Sequence, residues 1–209
     1  MIVDTMSMEE IQKEVAKIYL TICDKAYLLA TTFRKRVKKQ IRGKLIVWKH
    51  CDIIYVNGNK ILIYYMTRGS LNEFSQCFFI QVNNSKNYKE FYQVHLGGYV
   101  RKLSKHFIDR FIERTNCPED FIPYFLKEFS FPVSLNLISE KSFIRSENGI
   151  AVVADGNILV TYMNDLSQYK TEIRDNLKIT DKEAFQGINM LKLNKEILLD
   201  LKLNPKIRS

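Results

Sequence analysis

The chain has 209 residues but only four prolines, eight glycines and one tryptophan. With 46% hydrophobic and 26% charged residues, it is neither collagen-like, nor low-complexity, nor wholly disordered. No run of roughly 18 apolar residues occurs, so neither a transmembrane helix nor a membrane partner is expected. Glu9, Glu10, Lys13, Glu14 and Lys17 interrupt the first thirty residues, which leaves no apolar core for a secretory signal and makes a cytoplasmic location the expectation. The four cysteines (Cys23, Cys51, Cys77, Cys117) include no C-x-x-C pair and read as free thiols of a reducing compartment. His50 beside Cys51 has no second ligand pair at metal spacing, so no metal site is expected. The G-x-x-x-x-G-K-[ST], G-x-G-x-x-G, G-x-S-x-G and H-E-x-x-H patterns are missing too, which removes local support for nucleotide, hydrolase or zinc-protease chemistry and for any cofactor. Internal repeats and Gly-, Pro- or Ser-rich linkers are also missing.

Acids are absent where bases crowd. The net charge is +9, and residues 34–44 hold Arg34, Lys35, Arg36, Lys38, Lys39, Arg42 and Lys44 with no Asp or Glu, leaving +2 for the rest of the chain. A segment of this kind neutralises phosphates with a strongly salt-dependent affinity. A solvated helix end is the alternative, since the macrodipole favours each cation near a C-terminus by about 0.3–1 kcal/mol. Seven cations exceed what such an end requires, and an acidic partner, nucleic acid, is expected.

The period of the apolar residues divides the chain. Ser7-Met-Glu-Glu10 is a capping box, and Ile11, Val15, Ile18, Ile22, Leu29, Phe33 and Val37 then mark one face of a helix reaching about Gln40, with Gly43 as its stop. Such a helix is kinked, lies across a sheet, or pairs with a second copy through that stripe. Strands are expected at 45–49, 52–56, 61–65, 76–82 and 91–96, with Asn57-Gly58 as a hairpin turn, and again at 150–154 and 158–163 around Asp155-Gly156-Asn157. Between the two groups, 103–114 is helical. A second helix is expected from Pro118, with Phe121, Phe125 and Phe129 on one face and Pro123 bending or shortening it. Residues 130–148 show no clean period. From Thr180 a capping box with Glu183 precedes an amphipathic stretch containing Phe185, Ile188, Leu191 and Leu193. The expected architecture is α+β: a long N-terminal helix (1–43), a core (44–163) with an antiparallel sheet of five to seven strands and central helices packed on it, and a helical C-terminal tail (164–209).

The string H-F-I-D-R-F-I-E-R (106–114) is the richest in chemistry. At 100° per residue, Leu103, Phe107, Ile108, Phe111 and Ile112 share one face while His106, Asp109, Arg110 and Glu113 share the other. His106 and Arg110 lie one turn apart, with His106 in the first turn, where the helix dipole attracts anions. An imidazole beside a guanidinium suits a phosphodiester: one moves a proton, the other neutralises the phosphate. The alternative is a plain polar outer face, with His106 and Arg110 paired to Asp109 and Glu113.

The stretch S-K-H-F-I-D-R-F-I-E-R-T-N-C-P-E-D-F-I (104–122), followed by G-I-A-V-V-A-D-G-N-I-L-V-T-Y (149–162), resembles a family of small bacterial domains, the domain-of-unknown-function family 4258. That family in turn is similar to the barnase/EndoU/colicin/RelE-like group of ribonuclease toxins. The resemblance implies metal-independent RNA cleavage by a toxin-like enzyme or a degenerate relative, with RNA as substrate and an antitoxin as partner. It implies His106 as acid/base, Arg110 and Arg114 as phosphate clamps, Thr161 or Tyr162 as a hydrogen-bond donor, and Lys105 as added charge. Thr161 and Tyr162 are equally well explained as ordinary strand residues. Two other readings stand beside this one: a non-enzymatic nucleic-acid-binding module using Arg34, Lys35, Arg36, Lys38 and Lys39, and a homo-oligomer joined through the first helix.

Overall fold

The Ser7 hydroxyl accepts from the Glu10 amide at 3.3 Å, and the Glu10 carboxylate accepts from the Ser7 amide at 2.7 Å. This closed box starts α1 (Met8–Val37), whose 30 residues span about 45 Å at 1.5 Å per residue. The structure, a computed structural model, describes residues 1–38, 45–68, 74–86, 88–129, 133–136, 142–146, 148–155 and 157–163. Lys39, Gly43 and the expected tail helices from Thr180 lie outside them. The helix ends at Val37, short of the expected Gln40. Its inward stripe is Ile11, Val15, Ile18, Ile22, Ala26, Ala30, Phe33 and Val37, all buried. Those side chains pack on the chain's own sheet, against Ile61, Ile63, Tyr65, Ile80 and Val94 among others. The stripe is thus covered from within rather than open to a second copy; Leu20, Tyr27 and Leu28 are the large apolar side chains that α1 shows to solvent.

Six strands form the first meander: β1 (Leu45–Val47), β2 (Asp52–Val56), β3 (Asn59–Arg68), β4 (Ser75–Asn83), β5 (Lys89–Val94) and β6 (Val100–Leu103). β1 and β2 share one edge of β3, pairing with its residues 66–68 and 59–63. The β2–β3 turn has φ of 48° at Asn57 and 77° at Gly58, the paired left-handed conformation that a two-residue hairpin needs. The continuous apolar run of β3 is explained by burial on both faces. Ile61, Ile63 and Tyr65 lie under α1, while Leu62 and Tyr64 lie on the opposite side. The tight turn after β5 is docked on α1: Gln12 donates to the Gly98 carbonyl at 2.6 Å and accepts from the Val100 amide at 2.8 Å. Gly98 sits at φ 81° with the Tyr19 side chain 3.4 Å from where a Cβ would stand.

After β6 the chain forms α2 (Lys105–Thr115) and α3 (Ile122–Glu128), then a second meander of β7 (Val133–Asn136), β8 (Ser142–Arg145), β9 (Ile150–Ala154) and β10 (Ile158–Met163). β10 pairs with β6 in parallel, Ile158 opposite Lys102 and Leu159 opposite Leu103. One sheet results, in the order β1-β3-β4-β5-β6-β10-β9-β8-β7. The expectation of five to seven antiparallel strands is corrected on both counts. Ten strands are present among the described residues, and the sheet is mixed. Its one parallel pair follows from the helical crossover, which returns the chain to the sheet in the direction of β6. α1 covers one face of the first meander, and α2 with α3 cover the opposite face of the sheet across both meanders. The class is α+β. Among the described residues no helix is long and apolar enough to cross a membrane.

Candidate functional site

Ser104 caps α2, its hydroxyl accepting from the Phe107 amide at 3.1 Å. Phe107, Ile108 and Phe111 enter the core, and Asn116 ends the helix in the left-handed conformation at φ 50°. The expected second helix does not begin at Pro118. It begins at Ile122 with Pro123 in its first turn, where the missing amide hydrogen costs nothing. From there Phe125, Leu126 and Glu128 are buried, and Phe129 is half-buried. Phe111, Phe125, Phe129 and Tyr162 gather into one aromatic cluster, with ring centroids 5.0 Å apart for Phe111 and Tyr162 and 4.8 Å for Phe125 and Phe129.

Tyr162 reaches this cluster because β10 is irregular. Leu159 opposes Val153 and Thr161 opposes Val152, so Val160 is an extra residue. The resulting bulge places Leu159 and Tyr162 on the same side of the sheet, although three residues apart in a regular strand they would point opposite ways. Thr161 alternates away from Tyr162 and is half-buried.

At the rim of the cluster stands a buried carboxylate. Glu128 Oε1 accepts from Ser146 Oγ at 2.6 Å, from the Asn148 amide at 2.5 Å and from the Tyr162 hydroxyl at 2.9 Å, and Oε2 accepts from Asn148 Nδ2 at 2.8 Å. These donors make an otherwise expensive buried charge tolerable. Burial pushes the Tyr162 phenol well above its usual range, and the Glu128 charge adds to the shift, so Tyr162 stays protonated and donates. Gly149 is required beside it, because a Cβ there would collide with the Tyr162 hydroxyl and the Met163 carbonyl. Arg114 donates to the Tyr162 carbonyl. In front of the network opens a cavity of about 540 Å³ lined by Phe111, Arg114, Thr115, Tyr124, Lys127, Glu128, Asn148 and Tyr162. Its size is that of small-ligand sites, and its wall is locked by hydrogen bonds before anything enters.

Of the residues singled out in the sequence, Arg114 and Tyr162 meet at this cavity and His106 and Arg110 do not line it. His106 is exposed. It lies about 12 Å from Arg114 along the axis of α2, eight residues at 1.5 Å each. Arg110 pairs with Glu113 at 2.8 Å and Lys105 with Asp109 at 2.5 Å. The polar face of α2 is therefore a set of helix ion pairs, with Lys105 rather than His106 on Asp109. Glu128, Lys127, Asn148 and Ser146 escaped the sequence reading. One signal was present: Glu128 falls seven residues after Phe121, on the aromatic side of α3, an acid where an apolar residue belongs.

The basic end of α1 has a different character. Arg34, Lys35, Arg36 and Lys38 are all exposed. Arg34 stacks over Phe74 at 4.6 Å and Arg36 over Phe33 at 5.8 Å. Among the described residues none of the four makes an ion pair. Also among the described residues, no three His, Cys, Asp or Glu side chains gather as a metal ion would need. No protein-family model matches the chain, and neither a curated protein nor a solved structure matches it.

Proposed function

We propose that this chain is a nucleic-acid-binding protein that holds the phosphates of RNA on the exposed end of α1. One observation carries the reading: Arg34, Lys35, Arg36 and Lys38 stand in solvent without an ion pair among the described residues, while Lys105 and Arg110 of α2 are paired. Cations left uncompensated within one turn repel each other, and a polyanion relieves that repulsion while releasing its own counterions. Stacking on Phe74 and Phe33 holds two guanidinium groups outward.

The test is the salt dependence of affinity for a short single-stranded RNA, followed by fluorescence anisotropy. Four phosphate contacts correspond to a slope of log K against log salt of about −3. The variant with Arg34, Lys35, Arg36 and Lys38 all changed to Gln is expected to lose most of that slope and of the affinity. An unchanged slope refutes the reading; equal affinity for duplex DNA would broaden it beyond RNA.

Phosphodiester cleavage is a second reading, supported by the cavity that joins Arg114 and Tyr162, two residues drawn from the resemblance to ribonuclease toxins. On this reading Arg114 and Lys127 neutralise the phosphate, and the Glu128 carboxylate, which lines the cavity, accepts the proton while Tyr162 orients it. RNA cleavage that persists in His106→Ala and vanishes in Arg114→Gln is its expected signature. No cleavage by the wild-type chain removes it and leaves the binding function.

A further inference from the structure

On the α2–α3 side of the sheet, Gln93 of β5 lies directly opposite Arg101 of β6, and His95 follows at the strand end. All three side chains are half-buried. Among the described residues Gln93 Oε1, His95 Nε2 and Arg101 Nε are buried atoms with no hydrogen-bond partner. Among the described residues Arg101 has no carboxylate within ion-pair distance. Burial and the neighbouring Arg101 push the His95 imidazole down to about 4, so it is neutral and able to donate from one ring nitrogen. Native structures rarely leave such groups unsatisfied, and a half-buried cation without an anion is costlier still. The adjoining turn is open: a Cβ on Gly97 would meet nothing within 4 Å. Tyr99 borders the group, its ring 5.8 Å from that of His95 and partly exposed.

We propose that Gln93, His95 and Arg101 form a binding site for a phosphoryl group. The guanidinium supplies charge and a fork of donors, the imidazole one N–H, and the Gln93 amide its NH₂ end after rotation about its last torsion. Those donors stand at neighbouring positions on one face of β5 and β6 and are more numerous than the two oxygens of a carboxylate can use, whereas a phosphate offers three terminal oxygens. The phosphate comes either from a free ester or from a nucleic-acid backbone. The site is independent of the basic end of α1, which lies on the helix covering the other face.

The experiment measures binding of inorganic phosphate, uridine 5′-monophosphate and a short RNA to the full chain by calorimetry, in wild type, Arg101→Gln, His95→Asn and the fourfold α1 variant. Saturable binding of phosphate or the monophosphate is expected in wild type and in the α1 variant, weakened at least about tenfold in Arg101→Gln, equivalent to about 1.4 kcal/mol. Loss of RNA affinity alone in Arg101→Gln, with no binding of the small anions, assigns the site to backbone phosphate. In phosphate-free buffer Arg101→Gln is expected to melt no lower than wild type, because it removes an uncompensated charge. Should it fail to fold, the inference is wrong about Arg101 lacking a partner. Should none of the three probes bind the wild type, or should Arg101→Gln and His95→Asn bind them as wild type does, the site does not exist.

Discussion

Replacing Glu128 by alanine removes the acceptor on which four hydrogen bonds converge. The donors fare differently. Asn148 is exposed and turns both of its groups to water. Ser146 has a second acceptor in the Gly149 carbonyl at 2.9 Å. Tyr162, fully buried, is left with only Ser146 Oγ at 3.5 Å, too long to replace a bond to a charge. An orphaned buried hydroxyl costs about 1–3 kcal/mol, and a hydrogen bond to a charged group contributes about 1.5–3 kcal/mol. The expected loss is about 3 kcal/mol, a large share of the stability of an ordinary domain. Tyr162→Phe deletes one donor and leaves Glu128 three others, so about 1 kcal/mol is expected there. With the phenol already gone, Glu128→Ala should cost about 1–2 kcal/mol less than in the wild-type background, and the double-mutant cycle reads that coupling. Urea unfolding at constant m-value is the assay. A loss below about 1 kcal/mol for Glu128→Ala, or strict additivity of the two changes, would refute the network as described.

Gly149→Ala forces a methyl group into the Tyr162 hydroxyl and the Met163 carbonyl, and overpacking of this kind is expected to cost about 1–3 kcal/mol in the same assay. His95 titrates near 4 in the folded chain against an ordinary value of 6.5. Between those values the unfolded chain binds the extra proton, so stability rises with pH across that window and is lost as pH falls from 6.5 toward 4. After discounting for partial exposure the effect is about 1–2 kcal/mol, and His95→Gln is expected to flatten the urea midpoint over that range.

Local pattern and distant pairing separate what the residues announce from what they conceal. The stripe from Ile11 to Val37 announced α1 because an interval of three or four depends on nothing beyond the helix itself. Ala26 and Ala30 escaped notice only because alanine is neutral in such a count. Asn57-Gly58 announced its hairpin through backbone conformation. β6 was hidden by Arg101 and Lys102 at its centre, and β7 and β8 are four residues each, too short to establish a period. The parallel pairing of β6 with β10 joins residues 56 apart in Lys102 and Ile158, which no window of sequence contains. At the cavity, Arg114 and Tyr162 stand out through a pattern of residue types, whereas Glu128 needed the bulge at Val160 and the placement of Ser146 and Asn148 to acquire its partners. His106 and Arg110 stand out in the sequence because neighbours on a helix always meet, and they do not line the cavity. Whether anything faces them is decided by layers that spacing does not describe.

The two meanders are stitched together along one short line, and α2 acts as the batten nailed over it. At its leading end the Ser104 amide donates to the Leu159 carbonyl at 3.1 Å; at its trailing end Arg114 holds the Tyr162 carbonyl. Each meander assembles from hairpins of adjacent strands, but the stitch waits on closure of a long loop, which is entropically slower. Four of the ten described strands therefore join the rest through one parallel pair, and α2, a helix of 11 residues, is laid across that junction.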